Sequence, residues 1–273
     1  CTESAEVRES ACRALLREWP GGPVGEFWSV VGGLSGFDAL AALAMAKAPV
    51  GRIVLFDRDP VQLQFGALIV ELVRLCPSRE RFVLALFGRS MEAWGRLLGP
   101  SSMLDFLELP VDAAATSAVA SELPEELREL YATVFGCLAR REGWPLVWPS
   151  FGRSGKLPLR GLPNSQRRLG GGRNEAMHIN EAGWLRDELS YGRVREALLA
   201  APPELRELDL ANLGGLQPGL RHVVFISNID TARQFLDGEV LERLRAQLRG
   251  ESGAEGGVLL LSTARAEWLS QED

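Results

Sequence analysis

Apolar residues arrive along this chain in two rhythms. Short apolar runs occur at Phe27-Trp28-Ser29-Val30-Val31, Ile53-Val54-Leu55-Phe56, His222-Val223-Val224-Phe225-Ile226 and Val258-Leu259-Leu260-Leu261, and Leu205-Arg206-Glu207-Leu208-Asp209-Leu210 is a shorter-spaced mixture of leucine and charge. Between them the apolar positions recur at three- and four-residue intervals, the period of a helix with one buried face. The runs predict strands near 27–33, 52–57, 205–210, 222–228 and 257–262. The longer period predicts helices over 5–18, 36–47, 62–75, 89–98, 122–140, 190–198 and 231–249. Pro20-Gly21-Gly22-Pro23 stops the first helix, and Ser78-Arg79-Glu80-Arg81 reads as a capped helix start.

Strands that are apolar throughout belong in a sheet covered on both faces, which is the habit of parallel sheets with helical crossovers. The expected fold is therefore α/β, a Rossmann-like, mostly parallel sheet in a single domain over 1–273. Some 140 residues separate the second strand from the third. They predict a helical insertion and lid over 62–200, including a stretch at 143–174 rich in glycine and proline and carrying Arg167, Arg168 and Arg173. A loop of that length in a compact domain is usually functional.

Composition narrows the class. A chain of 273 residues with 46% apolar residues, 24% charged residues and a net charge of −6 is an ordinary globular chain. The acidic balance argues against a nucleic-acid partner. Cys1, Cys12, Cys76 and Cys137 have no paired spacing, and His178 and His222 are the two histidines, so neither a metal site nor a disulfide framework is expected. A reducing, cytoplasmic setting follows as an expectation, with no signal peptide and no stable membrane association. No run approaches the roughly 18 apolar residues of a membrane helix.

Candidate chemistry gathers after the first two strands. A dinucleotide fingerprint would need glycines at 31, 33 and 36, but position 31 is Val31. A turn made of Gly32, Gly33, Ser35 and Gly36, with Asp38 opening the helix, lacks the tight first glycine that cradles a pyrophosphate. It suits S-adenosylmethionine better. Asp57, with Arg58 and Gln62 nearby, is placed to hold a ribose diol. Asp209 and Leu210 would lie at the adenine, and Ser227 and Asn228 at the methionine end. All sit at predicted C-terminal strand ends, where open α/β sheets bind ligands. The alternative is that Asp57, Asp59-Pro60 and Asp209 only cap turns. Phosphate-loop and Gly-x-Ser-x-Gly motifs are absent. His222 reads as a packed strand residue, His178 as either packing or function, Trp144 and Trp148 as packing under a loop, and the arginine cluster as a solvated loop.

Asp57-Arg58-Asp59-Pro60-Val61-Gln62, followed by Glu71-Leu72, Phe82 and Phe87-Gly88-Arg89, resembles a branch of the class I S-adenosylmethionine-dependent transferases. This is the branch of 3-amino-3-carboxypropyl transferases found in betaine-lipid synthesis, whose second strand ends in Asp-x-Asn-Pro-x-Gln. Asp59 stands where that element has Asn. The resemblance covers about 27–90 and implies a class I methyltransferase-like sheet with S-adenosylmethionine as co-substrate and no metal. It also implies attack at the γ-carbon of the methionine moiety, by transfer or by cyclisation to azetidine-2-carboxylate, with methylthioadenosine released. A small molecule is the expected acceptor, and no oligomeric state is assigned. Candidate bases are Tyr191, Asp230 and Tyr131. Tyr191 reads equally as helix-to-sheet packing, and Asp230 as the cap of a helix at Thr231. Other readings are a small-molecule methyltransferase, a nicotinamide-dependent oxidoreductase and a binding protein without catalysis.

Overall fold

A computed structural model describes residues 5–31, 36–88, 111–139, 184–185, 187–226, 238–252, 256–262 and 266–270. In chain order the elements are α1 (Ala5–Glu18), β1 (Val24–Val30), α2 (Gly36–Met45), β2 (Val50–Asp57), α3 (Pro60–Leu75), α4 (Arg79–Phe87), α5 (Ala113–Glu122), α6 (Glu125–Ala139) and α7 (Glu188–Ala200). There follow β3 (Glu204–Glu207), a 3-10 turn (Leu210–Asn212), β4 (Arg221–Phe225), α8 (Gly238–Ser252), β5 (Gly257–Leu261) and β6 (Ala266–Leu269). Gly21 and Gly22 both take left-handed backbone, which lets the chain reverse sharply between α1 and β1.

The six strands form one sheet in the order β3-β2-β1-β4-β5-β6. The first five are mutually parallel, and β6 runs antiparallel beside β5. This is the α/β, Rossmann-like architecture that the apolar runs predict. Alternation along each strand divides the core into two layers. Phe27, Val31, Ile53, Leu55, Val223, Phe225, Leu259 and Leu261 face the layer built by α1 to α7. Trp28, Val30, Val54, Phe56, Val224, Ile226, Val258 and Leu260 face α8 and the β3–β4 crossover, which contributes Leu210, Leu213 and Leu216.

Three expectations shift. The third strand is shorter than 205–210 and is an edge, with three of its four residues exposed and none buried. Its charged side chains blunt that edge: Arg52 reaches Glu204 from β2, and Arg206 Nε donates to Glu204 at 2.6 Å. The Leu208–Leu210 half leaves the sheet because those leucines are drawn into the second layer. The helix expected over 122–140 is α6 from Glu125, and a separate α5 capped by Asp112 ends at Glu122. Finally, β6 has no counterpart in the sequence reading, because Ala266–Leu269 is short and only Leu269 in it is fully buried. The expected helix at 89–98, the stretch 143–174 and the start of the helix expected at 231 lie outside the described residues.

The chain between β2 and β3 contributes α3, which packs on both of those strands, and α7, which packs on α2 and α3. Ser78 caps α4 as its sequence predicts, accepting from Arg81 N at 3.2 Å. Among the described residues no helix is long and apolar enough to cross a membrane.

Two glycines set how closely this helical layer approaches β1. A Cβ on Gly36, at the start of α2, would lie 2.0 Å from Ser29 Oγ. A Cβ on Gly66 of α3 would lie 2.9 Å from Val31 Cγ1. Gly36→Ala is therefore expected to destabilise the fold by about 1–3 kcal/mol, the usual cost of overpacking. Denaturant unfolding checks this, and adding Ser29→Ala should restore part of the loss, since the closest contact is the hydroxyl.

Candidate functional site

Strand order reverses between β1 and β4, so the crevice for a ligand opens at their C-terminal ends. The ladder there continues one bond past the strands. Val31 N donates to Phe56 O at 2.9 Å, and Ile226 N to Leu261 O at 2.9 Å. Leu208 N donates to Asp57 O at 2.9 Å. The backbone of Asp57 is thus fixed at the rim, beside β1 on one side and β3 on the other.

The Asp57 carboxylate is half-buried, and Oδ1 accepts from Asp59 N at 3.0 Å. Burial raises its pKa above the ordinary carboxylate value, while the amides of Asp59 and Arg58 pull it back. Arg58 is exposed, and Gln62 is buried in the first turn of α3. Asp209 is exposed, two residues beyond Glu207, the partner of Asp57 across the ladder. Its Oδ1 accepts from Ala211 N at 2.9 Å and caps the 3-10 turn that begins with Leu210, which is buried in the second layer. Both aspartates thus make the local turn contacts of the capping alternative. In Asp57 the amides of Asp59 and Arg58 both act on the carboxylate, the Asp59 amide at Oδ1.

Between β1, α2 and α3 lies a narrow cleft lined by Ser29, Val31, Phe37, Leu55, Phe65 and Ile69, among others. Gly36 forms part of its wall, and its role in the structure is the close approach of helix to strand, the office of the third fingerprint glycine. Asp38 is 3% exposed, and its Oδ1 accepts from Trp184 N at 2.7 Å. Trp184 stands edge-on to Phe37 and Phe82 and stacks on Tyr191. The sequence reading assigned Asp38 to the cofactor. In the structure its Oδ1 ties the first turn of α2 to the chain entering α7. Nothing in the local sequence signals that bond, since its partner is 146 residues away.

The two tyrosines read as candidate bases are buried in the helical layer. Tyr191 is fully buried, and its hydroxyl donates to Cys76 O at 2.6 Å. Tyr131 is 2% exposed and donates to Ala85 O at 2.6 Å. Burial pushes both phenols well above their ordinary pKa, and it raises the nearby Cys76 thiol to about 11. Each hydroxyl bonds helix to helix within the α-helical layer and is poorly placed to take a proton from a ligand. Gly32, Gly33, Ser35, Ser227, Asn228 and Asp230 lie outside the described residues, as do His178, Trp144, Trp148 and the Arg167–Arg173 cluster. No cluster of three or more metal-ligating side chains occurs among the described residues.

No protein-family model and no curated protein matches the chain. Among solved structures it is similar to the rRNA methyltransferase AviRa from Streptomyces viridochromogenes, at 15% identity and a TM-score of 0.38. That match covers 95% of this chain and 74% of the other. A score so low transfers neither substrate nor activity.

Tyr191→Phe and Tyr131→Phe are each expected to lower stability by about 1–2 kcal/mol, because a buried carbonyl loses its donor. Ligand affinity should be unchanged. Thermal unfolding with a parallel binding titration checks both halves, and loss of turnover at full stability would restore either tyrosine as a base.

Proposed function

We propose that this chain binds S-adenosylmethionine at the C-terminal ends of β1, β2 and β4 and transfers a group from it to a small-molecule acceptor. The observation that carries the reading is Asp57, a half-buried carboxylate at the end of β2, beside β1 and the start of its glycine turn. A carboxylate there suits a ribose diol, and its Oδ1 is oriented by Asp59 N. Gly32, Gly33 and Ser35 would let backbone approach the ligand. Asp209 would lie towards the adenine, and Ser227 and Asn228 towards the methionine end. Asp230 is the remaining candidate base. The net charge of −6 favours a small acceptor over nucleic acid.

Two features weigh against a dinucleotide. Val31 occupies the first fingerprint position, and its amide is spent on Phe56 O. The sheet also departs from the doubled βαβαβ plan, because its sixth strand is antiparallel.

When bound, the sulfonium supplies carbons open to displacement, and the placement of an acceptor selects among them. The protein's part is to orient and to exclude water, which can supply roughly 7–11 kcal/mol without an acid–base triad. We assign the reaction to the γ-carbon, on the resemblance of the Asp57–Gln62 element to aminocarboxypropyl transferases.

Incubation with S-adenosylmethionine, followed by mass spectrometry of the nucleoside released, tests the reaction. Methylthioadenosine forming faster than in a matched Asp57→Ala control is expected, the cofactor's own α-amine displacing it from the γ-carbon to close azetidine-2-carboxylate when no acceptor is added. S-adenosylhomocysteine would move the assignment to methyl transfer. Asp57→Asn keeps an oxygen for the Asp59 amide but removes the charge. It should weaken binding by about tenfold to a hundredfold, the effect of losing a charged hydrogen bond of about 1.5–3 kcal/mol. Wild-type affinity in that variant would reduce Asp57 to a cap and remove the basis of the reading.

A further inference from the structure

Along α3 the buried positions Gln62, Phe65, Gly66 and Ile69 fall three and four residues apart and so share one face of the helix. The last three line the cleft between β1, α2 and α3, and Gly66 brings the helix close to Val31 at the end of β1. Gln62 belongs to the turn of that face nearest the C-terminal end of β2, since α3 starts three residues after Asp57. It is 9% exposed, so a carboxamide occupies a place that the rest of the stripe gives to apolar groups or glycine. A buried carboxamide calls for partners to its two donors and its oxygen. Among the described residues it makes no hydrogen bond.

Its usual local partner is already engaged. Asp59 O accepts the first helical bond, from Leu63 N at 3.2 Å, which makes Gln62 the third residue of the helix. From that place a glutamine reaches back to the amide of the capping residue. Here that amide, Asp59 N, donates to Asp57 Oδ1 at 3.0 Å. Asp57 holds the one donor that both side chains could use, and the carboxamide is left over within a helical turn of it.

We infer that Gln62 is a specificity-determining residue whose carboxamide N–H donates to the ribose hydroxyls of the bound nucleoside, an inference that rests on the ligand proposed above and its diol at Asp57. Each hydroxyl of a diol is both donor and acceptor, whereas a carboxylate can only accept. Asp57 therefore takes the hydroxyl protons and leaves the hydroxyl oxygens in need of a donor. The carboxamide supplies one without adding charge, from a helix face that meets the end of β1. Arg58, the other side-chain donor close in the chain, is exposed.

Gln62→Met keeps the length of the side chain and removes the amide. With no partner lost from the fold, the ligand-free variant should melt at or above the wild-type temperature. Calorimetry should show S-adenosylmethionine and methylthioadenosine each bound about fivefold to fiftyfold more weakly than by wild type, the effect of a hydroxyl left without its donor. Both ligands carry the ribose, and S-adenosylmethionine alone carries the amino acid. Wild-type affinity for both in the variant, or a loss confined to S-adenosylmethionine, would overturn the ribose assignment. A lower melting temperature in both Gln62→Met and Gln62→Leu would overturn its premise, because the amide would then be holding the fold. If neither variant folds, Gln62→Ala repeats the calorimetry and the two affinities decide. A wild-type chain that binds neither ligand would overturn the ligand reading itself, and this inference with it.

Discussion

The distance between α2 and β1 governs the rest of the molecule. With Ser29 Oγ only 2.0 Å from where a Cβ on residue 36 would lie, the helix can begin there only on glycine. That contact seats Phe37 and Asp38 inside the helical layer, where Asp38 receives the Trp184 amide and Phe37 meets the Trp184 ring. Trp184 in turn stacks on Tyr191, which bonds α7 to the end of α3 through Cys76 O. One close approach at the central strand thus propagates through an acid, an indole and a phenol to order three helices. A core packed this way transmits displacement, since protein interiors have little free volume to absorb it.

That chain of contacts explains what was legible in the sequence and what was not. The parallel strands were readable because burial on both faces leaves an unbroken apolar run, and β1, β2, β4 and β5 each have one. Edge strands lack that constraint. Hence β3 was placed too far along, on leucines that leave the sheet for the second layer, and β6 was missed. Local hydrogen bonds were also readable: Ser78 capping α4 involves residues three apart. The Asp38–Trp184 bond and the Tyr131 and Tyr191 anchors join residues 46 to 146 positions apart, and no window of sequence contains both partners. Polar groups assigned to a ligand by their type were therefore claimed by the fold. Asp57 was legible as a candidate because its position at a strand end, beside the reversal in strand order, follows from topology.

Glu26 carries a signal of its own. An acid between Val24 and Phe27, inside a strand whose other side chains are apolar or small, costs desolvation unless every oxygen is satisfied. Here four groups from three strands and the crossover converge on it: Trp28, Arg52, Gln217 and, at longer range, His222. Replacing one partner would leave the others around an under-satisfied buried charge. Such a network fixes geometry more surely than it adds stability.

The position of this network matters because the crossover joins the two ends of the sheet. It leaves the C-terminal ends of the strands at Asp209, packs Leu210, Leu213 and Leu216 over Trp28 and Phe56, and reaches Gln217 at the other end. Among the described residues, α8 and this segment are what cover the second layer, and α8 lies towards β5 and β6. The cover over β1 and β2 is thus a loop with a single 3-10 turn. Its apolar contacts fix its depth but not its register, since three leucines can slide over an aromatic surface. The bonds at Gln217, from its amide to Glu26 and from His222 Nε2 to its carbonyl, supply the register at that end, while Asp209 shapes the start of the segment through its own bond to Ala211 N.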